Sequence, residues 1–193
     1  MIATARTMSR AARAAAAALA LTMLVPKPVA LGQSENPLVP LVDAVAQRLQ
    51  VVEPVVAFKY LNGGLIQDPA RDQQVLAAAA AAAAERNIQP GYVTEVFRDQ
   101  IDASLAIEYT RLAQWKFDPA SAPAAAPDLA ASRVRIDELN RQIVNEIAHD
   151  WDVLHSPTCT AELDAAKMTV VQTRAMDPLY RQAIDVATRN YCQ

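Results

Sequence analysis

The chain has 193 residues, 52% of them hydrophobic, with 21 acidic and 18 basic side chains and four Gly. That is one domain's worth of material and enough for a sizeable core. An acidic balance with no polybasic run argues against nucleic-acid binding, which rests on neutralising phosphates with Lys and Arg. Abundant Ala and scarce β-branched alternation favour helix over strand.

Residues 1–32 read as a secretory signal. Arg6, Arg10 and Arg13 form a basic start, Ala14 to Val25 is an apolar run of twelve, and Ala30-Leu31-Gly32 places small residues before a cut at Gln33. The run is too short for a comfortable membrane span; the alternative is a retained anchor. Cleavage removes four cations and no acids, so the net charge moves from −3 to −7. Without a second apolar span, the mature protein, residues 33–193, is expected to be a soluble, secreted or periplasmic, single helical domain with no membrane partner.

Residues 33–40 are a polar, Pro-containing tether. A first helix runs from about Leu38 or Leu41 to Leu61, with Leu38, Val42, Val45, Leu49, Val52 and Val56 as its apolar seam. Pro54 should kink or break it, and Asn62-Gly63-Gly64 ends it. Asp68-Pro69 is a cap-plus-proline start for a second helix, which holds eight consecutive alanines, Ala77 to Ala84. Asn87 and Gln89-Pro90-Gly91 stop it.

A third helix spans about Tyr92 to Trp115, followed by a Pro/Ala loop, Asp118 to Pro127. With Asp128 as cap, a fourth helix covers about Leu129 to Leu154. Ser156-Pro157 and Asp177-Pro178 start two more, about 157–176 and 178–191. The expected architecture is all-α, with five or six helices and no sheet. If the last two helices run antiparallel, Cys159 meets Cys192, the only other thiol, and an exported protein pairs them by default. His149 and His155 match no zinc spacing, so no metal site is expected.

Several charges fall on apolar faces. On a 3.6-residue period Val93, Phe97, Ile101, Ser104, Glu108, Arg111 and Trp115 lie within about 60° of one another. Glu108 thus interrupts a core-facing stripe, and a surface ion pair with Arg111 is the bland alternative. Arg48 and Lys59 border the first apolar seam. Arg71 sits in a first helical turn, where a cation opposes the dipole; Arg133 is also in a first turn, near Ile136. Each alone is consistent with a snorkelling surface residue. Together, four cations bordering apolar faces of an acidic chain point to a pocket for a small dianion. No nucleophile–base pair or glycine-rich phosphate loop accompanies them. Such a pocket suits a reaction driven by electrostatics and conformational restraint. From the residues alone a secreted dicarboxylate-binding module and a structural protein with surface charges remain alternatives.

The segments RLQVVEPVVAFKY, DPARDQQVL, FRDQIDASLAIEYTRL, DPASAP…PDLAASR and the closing YCQ resemble the secreted, all-helical chorismate mutases of mycobacteria and their relatives. The resemblance covers nearly all of the mature chain. It implies the cofactor-free Claisen rearrangement of chorismate to prephenate, a chorismate mutase II-like fold and a homodimer. It also implies roles. Arg48, Arg71 and Arg133 bind carboxylates and orient the ring, Lys59 donates to the ether oxygen, and Ser104 contacts a carboxylate. Glu108 sits near the ether oxygen and is protonated if it donates there. One departure is Val75, where close relatives can carry Gln for the substrate hydroxyl; either Gln74 reaches in or that contact is absent. Asp68 approaches the site, though capping already accounts for it. Since Arg133 comes from a later helix of the same chain, the site is expected to be complete in one protomer.

Overall fold

The computed structural model describes residues 36–125 and 128–193, so the expected signal segment lies outside the described residues. Eight α-helices form among them, with no strand: α1 Val39–Gln50, α2 Val52–Asn62, α3 Pro69–Glu85, α4 Pro90–Phe117, α5 Leu129–His149, α6 Trp151–Leu154, α7 Cys159–Thr173 and α8 Pro178–Ala187. A 3₁₀ turn, Pro119–Ser121, follows α4. None of these helices is long and apolar enough to cross a membrane.

The six expected helices become eight because two of them break. Pro54 has no N–H to offer Gln50, and its ring crowds that carbonyl. The chain therefore breaks at Val51, three residues upstream of the proline, and α2 begins there. The second break is at Asp150, which separates the one-turn α6 from α5. Gly63, at φ 72°, ends α2 in the left-handed conformation that glycine adopts without strain.

Local capping decides most of the starts. The side chains of Asp68, Asp128 and Asp177 accept from the backbone N–H of Arg71, Ala130 and Tyr180. Ser156 does not cap: its hydroxyl donates to Val153 O, and α7 starts only at Cys159. Pro90 opens α4 instead of merely closing α3, since a proline is well placed in a first helical turn. Nor is the stretch before α1 a free tether throughout. Asn36 Nδ2 donates to Glu162 O at 2.7 Å and its Oδ1 accepts from Leu38 N, which seats Leu38 in the core.

α1 is the central helix. It packs against α5, α7, α8, α4 and α2, and Leu41, Val42, Ala44, Val45, Ala46 and Leu49 are all sealed from solvent. α4 lies across α3 and α8, and the small side chains of Ala79 and Ala83 let α3 approach it closely. A smaller cluster of Val56, Ala57, Ile66 and Trp115 joins α2 and the following loop to the end of α4. The C-terminus is fastened by the Cys159–Cys192 disulfide and by Tyr191, wholly buried, whose carbonyl accepts from Tyr92 Oη at 2.7 Å. Breaking the expected helices leaves a scaffold in which α1, α2, α3, α4 and α5 enclose a cavity.

Candidate active site

The cavity is walled by Val52, Val55, Ile66, Val75, Ile101, Leu105 and Ile136. Projecting into it are Arg48 from α1, Lys59 from α2, Asp68, Arg71 and Asp72 from the start of α3, Ser104 and Glu108 from α4, and Arg133 from α5. Six helical turns scattered over 86 residues, from 48 to 133, thus meet at one place. Arg48 and Glu108 are 4% and 6% exposed, which excludes the surface-charge alternative for both.

Each cation is held. Lys59 Nζ donates to Glu108 Oε2 at 2.6 Å and to Ile66 O at 2.5 Å. An ammonium has three donors, so one remains for the cavity. Arg71 pairs with Asp137 at 2.5 Å, and Arg133 pairs with Asp68 at 2.7 Å near the mouth, where both are partly exposed. Arg48 donates from Nε to Asn140 Oδ1 at 2.7 Å, and from Nη1 to Ser104 Oγ at 3.0 Å and Gln100 O at 3.1 Å. Ser104 in turn donates to Gln100 O at 2.7 Å.

Burial is the largest influence on Glu108 and raises its pKa above the ordinary carboxylate value; Lys59 opposes the rise, while Asp72 and Asp68 add to it. Asp72 is raised by burial and by Asp68, against Lys59 and Arg48. Arg48 is pushed down to about 10 by burial, which leaves it charged at neutral pH. Four cations and three carboxylates line the cavity, a formal balance of +1. Protonating Glu108 makes it +2, the complement of a dianion.

Two expectations change. Gln74 does not reach this cavity: it lines a separate one between α3 and α5, while Val75 forms part of the wall here. Successive helical residues differ by about 100° in direction, and here that turns Gln74 toward α5 while Val75 faces the cavity. Arg111 is not the partner of Glu108. It pairs with Glu53 at 3.1 Å and Asp177 at 2.8 Å, and lies over the ring of Tyr180. Two polar residues were not anticipated. Asp72 lies four residues after Asp68, a spacing that places both on one side of α3; that was the available signal. Asn140, behind Arg48, had none.

The family model described as chorismate mutase type II matches residues 40–109. A secreted chorismate mutase of Mycolicibacterium smegmatis is 54% identical over 93% of this chain and 99% of its own. The chain belongs to the secreted chorismate mutases. The secreted chorismate mutase of Mycobacterium tuberculosis is 44% identical over 94% of this mutase and 92% of its own length. A solved chorismate mutase from Burkholderia phymatum superposes with a TM-score of 0.78 at 29% identity, covering 82% of this chain and 97% of that one. As a mutase it is an isomerase, and the α1–α5 enclosure brings together the buried Arg48 and Glu108.

Proposed function

We propose that this protein rearranges chorismate to prephenate in the α1–α5 cavity, with Lys59, Glu108, Arg48 and Arg133 as its catalytic residues. One observation carries this reading: Arg48, Lys59, Arg71, Ser104, Glu108 and Arg133, far apart in sequence, all line a single cavity. The presence of three carboxylates there disfavours a module that only binds dicarboxylates, which would gain nothing from them.

The reaction is unimolecular. The enol-ether C–O bond breaks as a C–C bond forms, and negative charge grows on the ether oxygen. No proton or electron is exchanged with the protein. The enzyme's work is to hold the compact conformer and to oppose that charge. Arg48, with Ser104 beside it, takes one carboxylate; Arg71 and Arg133 take the other and close the mouth, exchanging some of their hold on Asp137 and Asp68. Lys59 turns its remaining donor to the ether oxygen. A bound dianion adds negative potential around Glu108 and pushes its carboxyl further toward the protonated form, which then donates to the same oxygen. With Gln74 facing elsewhere, Asp72 is the acceptor for the ring hydroxyl.

The mature enzyme in this reading is residues 33–193, exported with loss of residues 1–32 and assembled as a homodimer, each protomer carrying its own site. The basic and apolar pattern of the N-terminus supports export, as do relatives named as secreted. The test is to incubate purified, oxidised residues 33–193 with chorismate and follow loss of its absorbance and formation of prephenate. Absence of turnover from folded protein overturns the proposal.

A further inference from the structure

The four cations of the cavity are not held alike. Lys59, Arg71 and Arg133 each face a carboxylate at 2.5–2.7 Å. Arg48, the most buried of them, is held only by neutral oxygens: an amide, a hydroxyl and a backbone carbonyl. Its Nη2 makes no hydrogen bond among the described residues. A buried guanidinium with no carboxylate in contact is costly to keep, since its lost hydration is only partly replaced. A carboxylate in place of any neutral acceptor would relieve that cost and also cancel the charge.

Asn140 stands where such a carboxylate would be most effective. It lies on α5, buried, with its Oδ1 2.7 Å from Arg48 Nε. Arg Nε–H only donates, so the amide must present its oxygen. Asn140 is not among the residues lining the active cavity; it borders the neighbouring one, behind Arg48. With Nε held by Asn140 from α5, and Nη1 held by Ser104 and Gln100 from α4, two contacts on different edges fix the plane of the guanidinium. They leave Nη2 for a ligand.

We propose that Asn140 is a positioning residue for Arg48, and that its neutrality is the functional point: it orients the guanidinium without spending the charge that draws in a substrate carboxylate. This rests on the reading of Arg48 as a carboxylate-binding residue. On one isosteric change, Asn140→Asp, affinity and fold stability then move in opposite directions.

The experiment compares wild type, Asn140→Asp, Asn140→Leu and Arg48→Ala in the full mature chain, measuring kcat and KM with chorismate and thermal midpoints without it. Asn140→Asp keeps the acceptor and the shape but pairs the charge. The expected result is a KM raised at least tenfold, kcat within about threefold, and a midpoint equal to or above wild type. Asn140→Leu removes the acceptor, and kcat/KM should drop at least tenfold with kcat sharing in the loss. If Arg48→Ala is crippled while Asn140→Asp or Asn140→Leu keeps wild-type kcat/KM, the inference is overturned. A higher KM in Asn140→Asp accompanied by a lowered midpoint overturns it too, because damage to packing then accounts for the loss. If Arg48→Ala itself retains wild-type kcat/KM, the underlying reading of Arg48 fails instead.

Discussion

Lys59 Nζ and Glu108 Oε2 are 49 residues apart in sequence and 2.6 Å apart in the fold, on the wall of a cavity neither residue could form alone. The pair joins α2 to α4, and each member alters what the other can do. Lys59 favours the ionised carboxylate; burial and the two nearby aspartates favour the acid. A dianionic substrate adds to the second side.

The pH dependence follows from that balance. If the reactive form is the protonated one, kcat/KM falls as pH rises through the raised pKa of Glu108, and the acid side of the profile is the active side. Glu108→Gln carries a permanent donor. It should keep substantial activity and show a flatter profile over the same range. Glu108→Ala should lose at least tenfold. Rate profiles of the three proteins check this, and wild-type turnover in Glu108→Ala would sink the role.

Lys59 is expected to act mainly on the transition state, where the ether oxygen gains charge. Lys59→Ala should lower kcat by about 10²–10³, as removing a single oxyanion donor does elsewhere, with a smaller change in KM. Steady-state constants read this directly. A loss confined to KM would reassign Lys59 to ground-state binding.

Asp72 and Val75 share one helical face, and only Asp72 can accept a hydrogen bond. Removing that acceptor in Asp72→Ala should raise KM by about tenfold, the worth of one hydrogen bond of about 1–1.5 kcal/mol. Adding Val75→Gln to Asp72→Ala should recover part of it, since the new amide enters the same cavity. An unchanged KM in Asp72→Ala would show that the ring hydroxyl is bound elsewhere.

The disulfide closes a loop with a sequence separation of 33, and neither of its cysteines lines the cavity. The double variant Cys159→Ala/Cys192→Ala should lose about 3–4 kcal/mol by the chain-entropy argument. For a domain of this size that is a fall in thermal midpoint of roughly 10 °C. Well below the transition kcat/KM should stay within about threefold. Calorimetry and assay on one preparation test both parts.

Much of the fold was legible from local pattern. Asp68, Asp128 and Asp177 announce helix starts because a cap is made within three residues of the capping side chain, so nothing distant enters. The disulfide was legible for a related reason: once two helices are antiparallel, the ends that meet are determined. Ser156 misled because its hydroxyl finds a carbonyl behind it, and both choices look alike in sequence. Pro54 marks a break in the sequence, but the break falls upstream, at Val51, next to Gln50, whose carbonyl is the one that lacks the proline's N–H.

What the sequence determined by itself, then, is the helical class, most helix starts, the misplaced cations and, through five separated segments, the family. These rest on interactions that span a few residues or on strings of residues that need no geometry to compare. Tertiary structure alone decided that Arg111 turns to Glu53 and Asp177 and not to Glu108, that Asp72 faces the cavity while Gln74 does not, and that Asn140 stands behind Arg48. Each depends on how far a helix is rotated about its axis and which neighbour it packs against. A rotation of about 100° moves the next residue to another face. Helical periodicity says which residues share a face; only the packed bundle says what that face sees.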